Sequence, residues 1–155
     1  IPGIYIHSLL ATRNDYEQLK HSQQNRAINR HHWDYNLLQI ALSNKHSEQH
    51  KVLSRMLNLL KSRTQQPAFH PNAVQFILHL GLKLFGFWRQ SQDRRQSIFC
   101  ISNISDQPVA LRLSELNLIV TDTWWDLIGG QQLADISREL ELAPYQTVLL
   151  TNRQI

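Results

Sequence analysis

One cysteine, Cys100, is all the thiol chemistry this chain holds in 155 residues. An intrachain disulfide is therefore excluded, and a lone thiol fits a reducing compartment such as the cytoplasm. No stretch approaches the ~18 consecutive apolar residues that a membrane-spanning helix requires, and the opening segment has neither the basic leader nor the cleavage site of a signal peptide. Charged residues make up only 18% of the chain, too few for a disordered polyelectrolyte. The net charge of +4 is not gathered into a stripe. It forms two short clusters, Arg26 to His32 and Arg89 to Arg95, without the interleaved aromatics of a nucleic-acid face. Neither nucleic acid nor a membrane is expected as a partner.

Motifs for metals and for nucleophilic chemistry are missing as well. His46 and His50 stand four apart with Glu48 between them, but the zinc-protease pattern places glutamate directly after the first histidine, and Ser47 reads as a helix start within the pair. His31-His32 brings no third ligand, so no metal and no cofactor is expected. No Ser-His-Asp set is visible. Cys100 lies in the apolar run 97–101 and reads as a small buried hydrophobe.

What is present is a hydrophobic fraction of 42%, ample for a packed core. Residues 4–10 form an apolar run of the kind found in strands covered on both faces, as in parallel sheets flanked by helices. The next strand-like run begins only near Val74, so its pairing partners are expected elsewhere and the chain reads as the tail of a larger protein. Residues 12–32 are polar with little periodicity, a loop long enough to be kept for function. Asp34 is placed to cap a short helix through Leu37, Leu38, Ala41 and Leu42. Ser47 is placed to cap a longer one over 48–64, whose apolar positions Val52, Leu53, Met56, Leu57, Leu59 and Leu60 recur at helical spacing until Pro67 stops it.

From Ala73 onward the period becomes strand-like. Strands are predicted at 74–80, 84–90, 96–103, 109–113, 116–120 and 138–151, separated by turn chemistry such as Gly81, Ser105-Asp106-Gln107-Pro108 and Gly129-Gly130. The fold class implied is an α+β fragment. Residues 1–66 would be the last strand, substrate-side loop and terminal helices of a (β/α)8 barrel, and residues 67–155 a C-terminal antiparallel β-sandwich.

Two groups carry candidate chemistry. Arg26, Asn29, Arg30 and His31 lie on the loop after the first predicted strand, the end that faces substrate in such barrels. A guanidinium offers a rigid fork of donors to sugar hydroxyls or a carboxylate. The competing reading leaves these arginines solvated, or pairs them with Asp15 and Asp34 to pin the loop. Trp88, Trp124 and Trp125 could form a sugar-stacking face, but neighbours on a strand point to opposite sides, so Trp124 and Trp125 cannot share one platform and packing is the favoured role.

Gly3-Ile4-Tyr5-Ile6-His7-Ser8-Leu9-Leu10-Ala11, Asn14-Asp15 and Arg26-Ala27-Ile28-Asn29-Arg30-His31 resemble the eighth barrel strand and following loop of the sucrose phosphorylases of glycoside hydrolase family 13, the α-amylase superfamily. Residues 57–69 are similar to that family's last barrel helix and its exit. Phe85-Gly86-Phe87-Trp88-Arg89 and Ala143-Pro144-Tyr145 resemble the terminal domain of a branch that includes glucosylglycerate phosphorylases. The resemblance implies retaining glucosyl transfer in a parent enzyme acting on a sugar and phosphate. That chemistry needs two carboxylates about 5 Å apart, which the family carries on upstream strands. No catalytic residue is therefore assigned here, and the chain alone is expected to be inactive. By the same resemblance Arg26 holds a far hydroxyl of the glucosyl unit, with Arg30 placed to share the contact. The alternative is a carbohydrate-binding or structural β-sandwich module that stabilises the parent barrel. Without the remaining strands, the apolar run 4–10 and the stripe of helix 48–64 lose their cover. Roughly six such side chains at ~1.5–3 kcal/mol each form a term large enough to drive self-association, or a rearrangement before Gln66.

Overall fold

The computed structural model describes residues 3–116, 118 and 122–153. They fall into two compact units, Ile1–Lys61 and Ser62–Ile155.

In the first unit the opening apolar run is not a strand. It forms one helical turn, α1 (Ile6–Leu9). A strand needs a neighbour to complete its ladder; lacking one, the amides of Ser8 and Leu9 close on the Tyr5 carbonyl at 3.0 and 3.3 Å, and that of Leu10 on Ile6 at 3.0 Å. The polar stretch read as a loop holds α2 (Tyr16–Ser22). Asp15 caps it by accepting the Gln18 N–H at 2.9 Å, while Glu17 in the first turn and Lys20 and His21 in the last suit the helix dipole. A 3-10 turn follows at Asn25–Asn29. Helix α3 (Tyr35–Ser43) begins as read, with Asp34 accepting the Leu37 N–H at 3.0 Å. Helix α4 (Glu48–Thr64) also begins as read, the Ser47 hydroxyl accepting the His50 N–H at 3.0 Å. Neither α3 nor α4 buries a single residue, and Leu37, Ile40, Leu57 and Leu59 stand exposed.

The second unit takes in the last residues of α4, passes a 3-10 turn at Pro67–Phe69 and is then mainly β. Strands β1 (Val74–Leu78), β2 (Leu84–Gln90), β3 (Ser97–Asn103), β8 (Thr147–Thr151), β5 (Trp125–Asp126) and β6 (Gln131–Gln132) line up in that order as a six-stranded antiparallel sheet. β4 (Val109–Arg112) and β7 (Glu139–Leu142) form a second, two-stranded one. Alternation along β3 divides its side chains. Phe99 and Ile101 join Leu111 of β4, Leu142 of β7, Val148 and Leu150 of β8 and Trp124 in one core, so the small sheet is packed onto the large one as in a sandwich. Ile98 and Cys100 face the other way, onto Ala68.

The single long strand predicted at 138–151 is two. Pro144 has no N–H for a ladder, Tyr145 takes a left-handed φ of 58°, and the Ala143 N–H donates to Gln146 Oε1 at 2.8 Å, closing a turn that sends β7 and β8 to different sheets. The strand predicted at 116–120 falls mostly on residues 117, 119 and 120, outside the described residues; Leu116, which follows a 3-10 turn at Leu113–Glu115, is buried in the core.

One buried amide joins the turn before the first strand to the sheet. The Gln96 side chain is 1% exposed; its Oε1 accepts the Ala68 N–H at 3.0 Å, and its Nε2 donates to Gln66 Oε1 at 2.6 Å and Thr151 Oγ1 at 3.2 Å. Arg89 reinforces the same turn by donating to the Ala68 and His70 carbonyls at 3.0 and 2.6 Å. Among the described residues no helix is long and apolar enough to cross a membrane.

Candidate functional site

The arginine segment is a 3-10 turn because its neighbours hold its carbonyls. The Asp15 N–H donates to the Ile28 carbonyl at 2.8 Å, and the Tyr5 hydroxyl donates to the Asn29 carbonyl at 2.9 Å. Within the turn, the Ala27 and Arg30 amides close on Gln24 and Ala27 at 2.8 and 3.0 Å. Ala27 is its only buried side chain. Arg26 lies inside the turn and Arg30 at its C-terminal cap, and both are exposed.

Asp15 and Asp34, the carboxylates that could have pinned these arginines, are engaged elsewhere. Asp34 caps α3. Asp15 caps α2 with Oδ1 and meets His31 Nδ1 with Oδ2 at 3.1 Å. The Gln18 N–H and the His31 ring hold the Asp15 carboxyl below the usual carboxylate range. Ion pairs in this unit run instead from Arg13 to Glu48 at 3.1 Å and from Lys20 to Glu17 at 3.3 Å, both exposed.

Around His31 a small polar network has formed that sequence spacing did not reveal. The His31 ring stands edge-on to Trp33 with centroids 5.0 Å apart, the Trp33 indole N–H donates to Thr12 Oγ1 at 2.9 Å, and His7 Nδ1 lies 3.1 Å from the same hydroxyl. An open hollow of about 500 Å³ is lined by Thr12, Asp15, His31, Trp33 and Gln49 among others. A second, of about 310 Å³, is lined by residues including Tyr5, His7, Ser8 and Asn29. Arg26 and Arg30 line neither of these two hollows.

In the β unit Trp88 and Trp124 are packing elements. Trp88 stacks between Phe76 and Phe99, with centroids at 4.8 and 5.6 Å, and Trp124 meets Phe99 edge-on at 5.5 Å while 1% exposed. Trp125 is half-buried in β5, opposite Gln132 and Thr151. Burial pushes the Cys100 thiol up to about 12, which makes it a poor nucleophile. Among the described residues no three His, Cys, Asp or Glu side chains are grouped to hold a metal ion, and His50 Nδ1 lies 2.7 Å from the Leu42 carbonyl.

Comparison with known proteins agrees with this architecture. Residues 75–149 match the family "Maltogenic Amylase, C-terminal domain". The fold resembles that of AmyP, solved with maltose, at TM-score 0.55 and 18% identity over 67% of this chain and 21% of that one. It also resembles an Anoxybacillus α-amylase at TM-score 0.54 and 13% identity, over 70% of this chain and 23% of the other. Residues 75–149 are thus a C-terminal domain of the kind carried by glycoside hydrolase family 13 enzymes, the α-amylase superfamily.

The chain's relatives are more specific than that class. A glucosylglycerate phosphorylase of Allomeiothermus silvanus is 35% identical over 125 residues, 81% of this chain and 22% of that protein. A sucrose 6(F)-phosphate phosphorylase of Thermoanaerobacterium thermosaccharolyticum is 39% identical over 99 residues, 64% of this chain and 19% of that protein. The chain thus spans about a fifth of the length of the curated relatives it matches.

Proposed function

We propose that this chain is the C-terminal part of a retaining α-glucosyl-transferring enzyme of the sucrose or glucosylglycerate phosphorylase type. The reading is carried by one observation: the 125-residue alignment to a glucosylglycerate phosphorylase is longer than the β unit, Ser62–Ile155, so the likeness extends into the helical unit. In this reading Arg26 and Arg30 hold hydroxyls of the donor sugar. The geometry supports it, since both guanidinium groups are exposed and the two nearby candidate carboxylates are committed to helix caps and to His31. Holding the sugar in register is a positioning contribution, worth up to about a hundredfold when lost. The reacting carboxylates belong to the upstream part of the enzyme, so the 155-residue chain by itself is inactive. Sugar and phosphate are the partners of the whole enzyme, and the buried single thiol suits a cytoplasmic setting.

The test is an enzyme extended upstream to the length of the relatives. It is expected to phosphorolyse sucrose or glucosylglycerate, and Arg26→Ala is expected to lower kcat/KM by about a hundredfold. Turnover by the 155-residue chain alone would overturn the reading. In isolation the chain is further expected to self-associate through the exposed apolar residues of α3 and α4, giving a light-scattering mass above 18.2 kDa that rises with concentration.

A second reading, a β module that stabilises the parent barrel, is favoured by the self-contained core around Phe99 and Leu150. A carbohydrate-binding role is less favoured, because Trp88 and Trp124 are committed to packing.

A further inference from the structure

The segment that carries Arg26 and Arg30 buries only Ala27, with Ile28 half-buried, so its shape depends on the hydrogen bonds at its edges. Two of those lead to Asp15, which also caps α2. The Asp15 amide donates to Ile28 O at 2.8 Å, Oδ1 accepts the Gln18 N–H at 2.9 Å, and Oδ2 meets His31 Nδ1 at 3.1 Å. Asp15 thereby joins the start of α2 to two points on either side of Asn29 and Arg30.

We propose that Asp15 is the positioning residue of the arginine segment, acting through His31 and the Ile28 carbonyl to set where the two guanidinium groups stand, without itself touching sugar. This rests on the reading of Arg26 and Arg30 as sugar contacts. The residue type carries the argument. Serine, threonine, asparagine and aspartate all cap helices, so the Gln18 bond alone does not ask for a carboxylate. Two acceptor oxygens are needed only because the second faces a ring nitrogen while the first is occupied. A carboxylate has no proton to give, so His31 Nδ1 must be the donor, and the imidazole is held in one orientation. The edge-on contact with Trp33 and the Trp33 bond to Thr12 hold that ring from the far side. The tie from the Tyr5 hydroxyl to Asn29 completes the enclosure of the segment.

Amide hydrogen exchange, read by NMR on the full 155-residue chain, tests this directly. The amides of position 15 and Arg30 report on the arginine segment; those of Leu19 and Gln23 report on α2. Asp15→Ser keeps a capping oxygen and removes the second oxygen, with no amide N–H to meet the other tautomer of His31. It is expected to speed exchange at position 15 and Arg30 about fivefold to tenfold and to leave Leu19 and Gln23 within about twofold. His31→Ala, which leaves the cap untouched, is expected to give the same pattern, and the double variant no more than either single one. Unchanged exchange at position 15 and Arg30 in both variants would overturn the proposal. So would an equal rise at Leu19 and Gln23, which would make Asp15 a helix cap only. The sugar-contact reading fails separately: an extended enzyme fully active as Arg26→Ala would remove it while leaving the exchange result standing.

Discussion

The two units solve the burial problem differently. The β unit encloses its own core, with Phe99, Ile101, Leu142 and Leu150 at or near zero exposure, while in the helical unit only Leu10 and Ala27 are buried among the described residues. Both have apolar stripes of normal strength, so the difference lies in what the stripes meet. Sheets packed face to face bury each other, whereas α3 and α4 present Leu37, Ile40, Leu57 and Leu59 to solvent. A helix that buries nothing draws little tertiary support, and helices of this length are marginal on propensity alone.

That contrast can be broken at its strong side first. Phe99→Ala removes a fully buried ring stacked on Trp88 and should cost about 3–5 kcal/mol, read as a lower urea midpoint by tryptophan fluorescence. Gln96→Leu strands the Ala68 N–H and the Gln66 side-chain oxygen in a buried site, at about 1–3 kcal/mol by the same measurement. Acid provides a third, smaller effect, which in the helical unit centres on Asp15. The Gln18 N–H and the His31 ring hold the folded Asp15 carboxyl below the ordinary aspartate value, so its contribution is present above that ordinary value and is lost as the pH falls through the lowered one. Protection at position 15 and Arg30, corrected for the slower intrinsic exchange in acid, should fall as that carboxyl is protonated, while β3 amides hold. Smallest of all, Leu57→Ala, on the exposed stripe of α4, should shift stability by less than about 0.5 kcal/mol in the monomer. A loss as large as that of Phe99→Ala would show that the helical unit has a core after all.

Legibility from sequence follows the same divide between local and borrowed order. α3 and α4 were readable because Asp34 and Ser47 cap them and leucines mark a period; β2 and β3 because their alternation is bounded by turns. The apolar run 4–10 reads as a strand yet forms a helical turn here, because strand character belongs to a pair of strands and these residues hold only half of that information. α2 was missed although Asp15, with Gln18 three residues on and Glu17 in the first turn, signals a helix start. The merged strand at 138–151 neglected Pro144. As for the site, Arg26 and Arg30 came from a resemblance, while the Asp15–His31 contact spans sixteen residues with no spacing rule to betray it.

Gln96 has a consequence for how the β unit can be shortened. Its amide grips Gln66 ahead of the first strand and Thr151 in the last, so the two termini of this unit are fastened to one peg. Trimming the carboxyl tail past Thr151 would therefore reach the opposite end as well, leaving the Pro67–Phe69 turn held only by Arg89 and by a Gln96 amide short of one partner, and more open to proteases than before.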